Sequence, residues 1–383
     1  MEAGRPRTAY NPRLNHIKIM LLSVLATPIL LAAALPQEEI ILNNGKVLEV
    51  ERITGETFSE VTYKSKSGGS GRKPAEQVRE IRHNLGPTVL NEYATAIDLM
   101  NAEDYVAALQ VFNDVLSDER LLNSKRYAWV KGDSLYRQIK CMFSLADFAG
   151  AAAGADKLLA EVPNSFYYAS ASLVKAEALE LAGNTADATS AFNKLSYDVV
   201  EKNLPQRWGK QAELGLILLD KANRGGTLRR KLEGLIATVD GKYPTVANRA
   251  KVEIGNTFID EENFDKARKY FGAIVDGGEA DAATEAAAFL GLGLCDYRAG
   301  LLMSNQDKAV LAYFSANLNF LRVVVMYKDN VALVPKSMYH SAMCFNRSGG
   351  DNRAKAVRMA GRMLKRYPNS QWTKKVKQDL NLR

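Results

Sequence analysis

Residues that carry chemistry are scarce in this sequence. Its 383 residues hold three cysteines, Cys141, Cys295 and Cys344, and no two of them form a CxxC pair. That leaves no thiolate cage for zinc and no dithiol redox centre. Their odd number and their place inside apolar helical patterns argue against a disulfide framework, so they read as buried small hydrophobes. Histidine is as rare, with His16, His83 and His340 the whole set. HExxH, a GxSxG elbow and a Walker loop are absent, which removes the commonest metal, acyl-transfer and phosphate-handling signatures. Gly291-Leu292-Gly293 superficially suggests a nucleotide turn, but it has no preceding strand and sits in an alanine-rich helical run, so it reads as helix packing. Cys344 falls four residues after His340, at helical spacing for a thiolate–imidazole pair, yet no acidic group stands nearby to orient the ring. No catalytic residue, metal or cofactor is expected, and the chain reads as not an enzyme.

What is present is a core. Apolar residues make up 47% of the chain and charged residues 25%, ordinary values for a folded protein. The length exceeds one compact domain, so two units or a repeat array are expected. Three segments separate by pattern.

In the first, 1–34, Arg5, Arg7, Arg13 and Lys18 precede an apolar run from Ile19 to Leu35, which ends in Ala32-Ala33-Ala34. This is the order of a secretory signal peptide, with cleavage expected after Ala34. An uncleaved signal anchor is the other reading, since the run is about long enough to span a bilayer core. No cysteine follows it, so a lipid anchor is not indicated.

In the second, 38–84, the pattern has period two. Ile40-Ile41-Leu42, the tight turn Asn43-Asn44-Gly45, and Val47, Leu48 and Val50 make a hairpin. Thr57–Tyr63 alternates as a half-buried strand, Lys64–Lys73 reads as a loose basic glycine loop, and Pro74–Ile81 as a turn with a closing strand. Short strands at this density predict a small barrel. The "LxNGxV" opening and "PxxxVxxI" ending resemble the small SH3-like or Sm-like barrels of bacterial envelope proteins.

In the third, 88–383, one three-position spacing recurs. Ala108/Phe112/Val115, Ala151/Ala155/Leu158, Ala188/Phe192/Leu195, Leu232/Ile236/Val239, Ala267/Phe271/Ile274, Ala316/Phe320/Val323 and Ala356/Ala360/Met363 each lie at i, i+4 and i+7 on a helical face. Successive starts differ by 43, 37, 44, 35, 49 and 40 residues, and the 49-residue interval predicts an insertion around Gly300–Asp307. Val162-Pro163, Tyr243-Pro244 and Tyr367-Pro368 supply helix stops. A helix pair with one apolar stripe each cannot bury both faces alone, so these units must stack.

Alanine, a large apolar residue four later and another three beyond, then proline, resembles the tetratricopeptide repeat (TPR) family. The ending Arg366-Tyr367-Pro368-Asn369-Ser370-Gln371-Trp372 is most similar to periplasmic members, the Tol-Pal-associated and outer-membrane-assembly TPR proteins. The resemblance implies a mainly α fold, a solenoid of about seven helical hairpins behind the β module. It also implies an exported, periplasmic or envelope-associated scaffold that binds a protein partner's peptide or helix in a concave groove lined by first helices. On that mapping Tyr136, Arg137 and Lys140 of the second repeat, and Arg249, Val252 and Asn256 of the fifth, face the partner.

The alternative function is attachment to cell wall or an anionic membrane. The net charge of +8 is concentrated at one end: Asn352–Arg383 carries ten basic residues against Asp379 alone. Lys355, Arg358, Arg362 and Lys365 share one helical face and are candidates for an anionic surface, as is the basic β-module loop. Nucleic acid is not an expected partner of an exported chain. Intact-mass measurement of the protein from its native host tests export: a chain starting at Leu35 is expected, and a mass that includes Met1 overturns cleavage.

Overall fold

The computed structural model describes residues 38–382 apart from 279 and 369, so the expected signal segment 1–34 lies outside the described residues. The period-two region folds as two three-stranded antiparallel sheets. One has the order β2-β1-β6, from β1 (Glu38–Leu42), β2 (Val47–Val50) and β6 (Val78–Arg82). The other has the order β3-β4-β5, from β3 (Arg52–Glu56), β4 (Glu60–Lys64) and β5 (Ser70–Pro74). Gly45 closes the first hairpin at φ +82°, a conformation L side chains resist. Ile40 pairs with Leu48 on one side and Ile81 on the other, and its buried side chain joins Val50, Ile53, Val61 and Val78 in the core.

Two parts of this module differ from the sequence reading. Strand β3 was not expected, and the loop called loose is ordered from Ser70 onward as β5, leaving only a tight turn at Ser65–Gly69. Nor is the turn a free cationic tip. Lys64 pairs with Glu51 at 2.9 Å, Lys66 with Glu49 at 2.5 Å, and Arg72 lies 4.0 Å from Glu60.

The rest is helical. Seven hairpins stack in sequence, each joining a first helix to a second. They are α1 (Asn91–Asn101) with α2 (Tyr105–Ser117), and, after the short α3 (Glu119–Leu122), α4 (Trp129–Ser144) with α5 (Phe148–Glu161). Next come α6 (Tyr168–Leu181) with α7 (Thr185–Glu201), α8 (Gln206–Leu219) with α9 (Gly225–Val239), and α10 (Pro244–Asp260) with α11 (Phe264–Gly277). Last are α12 (Ala282–Leu302) with α13 (Gln306–Met326) and α14 (Val334–Arg347) with α15 (Asn352–Arg366), closed by α16 (Gln371–Asp379).

The turn inside several hairpins repeats one device. Glu103, Ala146 and Glu262 take positive φ, at 63°, 58° and 57°, as Gly183 does at 82°. The next residue, Asp104, Asp147 or Asn263, then caps the second helix by accepting the backbone N–H of Ala107, Gly150 or Lys266. An aromatic residue usually follows, and the apolar triplet falls on the inward stripe. Six of the seven triplets are buried throughout. The fourth is corrected: α9 buries Leu232, Leu235 and Val239, while Ile236 stays partly exposed. The expected insertion at Gly300–Asp307 is corrected too. Its extra length extends α12 and α13 to 21 residues each, with only 303–305 between them.

What sets the helix spacing is a ring pressed into a notch. Phe271 of α11 lies over Gly255 of its own first helix and Gly291 of the next; a Cβ at either glycine would fall closer than 3.0 Å to the ring. Phe192 meets Gly215, and Phe320 meets Gly293, in the same way.

The array also closes on itself. The Glu103 carboxylate in the first hairpin's turn accepts from Lys328, after α13, and from Arg366 at the end of α15 at 2.9 Å. The side chain of Phe143 from α4 packs against the C-terminal core cluster as well as its own.

Gly291→Ala should destabilise the fold by about 1–3 kcal/mol through overpacking. Gly234→Ala, in α9 with nothing within 4 Å of its new methyl, should instead stabilise by about 0.5–1 kcal/mol. Chemical denaturation of both variants checks the pair, and a shared sign would contradict the notch.

Candidate functional site

The β module does not hang free of the helices. Thr57 bridges to Ser165, the Phe58 N–H donates to the Asn164 carbonyl at 3.2 Å, and Phe166 completes the module's core from the helical side. His83 leaves β6 stacked on Trp129 with centroids 3.6 Å apart, and its Nε2 lies 2.8 Å from the Glu56 carboxylate. Between the module and the first helices α4, α6 and α8 this docking leaves a cavity of about 420 Å³.

Tyr136, Arg137 and Lys140 all line it, so the structure brings the α4 candidates together. Their roles differ. The Tyr136 ring stacks on Tyr167 at 4.5 Å and forms wall. Arg137 is committed to Asp133, a buried carboxylate that also accepts from the Tyr93 and Tyr167 hydroxyls at 2.5 Å each. Burial would push the Asp133 carboxyl up, but Arg137 and the two phenols hold it below its usual range. Burial likewise opposes the Arg137 charge, and Asp133 overrides it. Removing either partner strands the other, typically at about 3–5 kcal/mol. Lys140, by contrast, has no carboxylate within ion-pair distance among the described residues, and crowding by the walls, then Arg137, push its amine below the ordinary value.

Sequence reasoning missed the rest of this cavity. Arg79 comes from β6, and Arg207 and Trp208 come from the first turn of α8, all from distant segments. Asp133 was the one legible signal, an acid four residues before Arg137 on the same helical face. The Arg207 guanidinium stacks over Trp208 at 4.9 Å and donates one bond to the Glu76 carbonyl at 3.2 Å, while its buried Nε finds no partner. Burial lowers its pKa. Arg79, Lys140 and Arg207 thus present three cations without ion-pair partners among the described residues, beside Trp208, Tyr136 and Phe58. Such a lining suits an anionic group carried on an apolar or aromatic body.

The α10 candidates do not join this cavity. Val252 is 4% exposed and packs with Ile259, Ala267 and Phe271, so it is core rather than partner-facing, a correction to the groove mapping. Arg249 reaches across to Glu177 of α6 at 2.9 Å, and Asn256 donates to Glu253 at 3.0 Å. Here the surface is acidic: Glu177, Glu180 and Glu253 surround Arg249, with Lys336 of α14 the next cation. Burial, then Glu177, raises the Glu180 carboxyl to about 7.

The basic face is where the sequence placed it. Lys355, Arg358, Arg362 and Lys365 are exposed on α15, opposite buried Ala356, Met359, Ala360 and Met363. His340 and Cys344 do not form a reactive pair. Burial lowers the imidazole to about 3 and raises the thiol far above its normal range, so both are neutral.

Glu180 gives a signed pH test. With its folded pKa raised, its stabilising contribution is full below the ordinary carboxylate range and is lost as pH rises through about 7. Glu180→Gln should therefore melt like the parent near about pH 4 and above it near about pH 8. Melting curves across that interval check this, and parallel curves would contradict it.

No curated protein matches the sequence. The family model described as "Tetratricopeptide repeat" matches residues 336–370, which span α14 and α15. Among solved structures, the chain is similar to a tetratricopeptide repeat protein from Parabacteroides merdae ATCC 43184, at 11% identity and a TM-score of 0.35, over 66% of this chain and 86% of that one. The last hairpin is thus a tetratricopeptide repeat, and the chain is a TPR-like array of seven hairpins behind a small β module.

Proposed function

We propose that the chain is an exported scaffold of the cell envelope that holds a segment of a partner protein against its inner face without chemical transformation. TPR arrays generally mediate protein–protein interaction, and an inward surface built from successive first helices suits an extended or helical segment. The observation that carries the reading is the cavity under the β module, where Arg79, Lys140 and Arg207 stand unpaired beside aromatic walls. A partner's carboxylate there gains charge-assisted bonds that the protein itself leaves unmade. In this reading the β module is an SH3-like barrel that roofs part of the groove, and the acidic region around Glu180 receives a basic stretch of the same segment.

Attachment through the β-module loop is the weaker reading, because Lys64, Lys66 and Arg72 already face carboxylates. Crosslinking in intact envelopes followed by pull-down should return discrete proteins. Lys140→Glu with Arg79→Glu should cut that capture about tenfold or more, the scale of losing two charge-assisted contacts, with circular dichroism unchanged. Undiminished capture would remove the cavity from the binding site, and recovery of glycan or lipid alone would overturn the scaffold reading.

A further inference from the structure

The sixth hairpin carries an anomaly on its outer side. Among the described residues, sixteen large hydrophobic side chains are exposed, and eight of them lie between Leu301 and Met326. On α13 the inward stripe is complete, with Ala309, Tyr313, Ala316, Phe320 and Val323 all buried. Yet Leu311, Phe314, Leu318 and Val325 recur at i, i+3, i+7 and i+14 on the opposite side, each between 50% and 70% exposed. Leu302 and Met303 extend this ridge at one end and Met326 at the other. The 21-residue helix bears only Asp307, Lys308 and Arg322 as charges. Of the other second helices, α2 and α7 expose one or two large apolar side chains each, while α11 and α15 turn lysine and arginine outward.

By length and hydropathy α13 could cross a membrane, but a third of its most apolar window is packed against protein. Asn317 also accepts a buried hydrogen bond from Ser341 of α14 at 2.6 Å. It is a structural half of its hairpin, so its outer ridge can lie on a surface and not span one.

The charge beside it selects the surface. The next second helix, α15, points Arg358, Arg362 and Lys365 outward, and none has a carboxylate within ion-pair distance among the described residues; Lys374 and Lys377 of α16 are equally free. End-capping does not explain the basic face, because α16 already covers the last hairpin with Thr373, Val376 and Leu380. An anionic bilayer accepts both features, apolar side chains at the acyl boundary and cations among the phosphates.

We infer that the outer face of the last two hairpins, the α13 ridge with the α15 cations, docks on an anionic phospholipid surface and leaves the inner face free. This rests on neither the partner-binding reading nor the fate of the N-terminal segment. The test is co-sedimentation of the chain, as recovered from its host, with phosphatidylcholine vesicles and with vesicles that also contain phosphatidylglycerol, across a salt series. Binding to the anionic vesicles should be about tenfold or more the stronger and should fall with salt. Arg358→Glu, Arg362→Glu and Lys365→Glu together should abolish that preference. Leu311→Ser with Phe314→Ser should weaken binding and keep its salt dependence. Phe314→Trp reports insertion directly, with a blue shift expected only on anionic vesicles. Equal binding to both vesicle types, or no effect of either variant set, would overturn the proposal. So would sedimentation showing a dimer that Leu311→Ser with Phe314→Ser dissolves, because the ridge would then join two copies.

Discussion

The spacing of the array depends on how closely first helices can approach the rings carried by the second helices packed beside them. In six of the seven triplets an alanine at the start removes bulk on one side, and beside Phe192, Phe271 and Phe320 a glycine removes it on the other. Phe271, caught between Gly255 and Gly291, shows both contacts at once. Interiors packed to this density respond to single methyl groups, so the contact fixes the stacking distance at the hairpins where Phe192, Phe271 and Phe320 make it. The direction of the inner face is set by the same contact, because it dictates which stripe of each first helix remains turned away from the core.

This also explains what could be read in advance. The triplets were legible because alanine followed by large apolar residues at helical spacing is a local pattern, and six of seven held. The α9 register was not, because that helix begins at Gly225-Gly226 without the Asp-or-Asn cap and aromatic start of α2, α5 and α11, and two apolar choices, Leu235 and Ile236, stand side by side. Gly291 and Gly293 read as helix packing, but which ring each one receives, like the notch at Gly215, appears only when a side chain from another helix is placed against them. Strands β3 and β5 escaped notice because Thr54-Gly55-Glu56 and Gly71-Arg72-Lys73 have little strand propensity and are held by pairing to β4.

The candidate site was half legible for a related reason. Placing Tyr136, Arg137 and Lys140 on an inward helical face needed only periodicity. Learning that Arg137 is neutralised by Asp133 while Lys140 is not needed the third dimension, as did finding Arg79 and Arg207 opposite. Val252 shows the risk of carrying over groove positions: where helices pack tightly, a one-position rotation turns a lining residue into core. The charge map follows the same logic, with cations left unpaired under the β module and carboxylates crowded around Arg249.

The Glu103 contact alters the mechanics of the whole array. An open solenoid frays from its ends, and each repeat adds its stability in turn. Here one solvent-accessible carboxylate holds two cations from the far end of the chain, so the two termini that would fray first are tied together. Ion pairs of this exposed kind are individually weak and screened by salt. The tie is therefore salt-sensitive on its polar side and backed by the Phe143 packing on its apolar side, so the ends are held by two contacts of different physical kind.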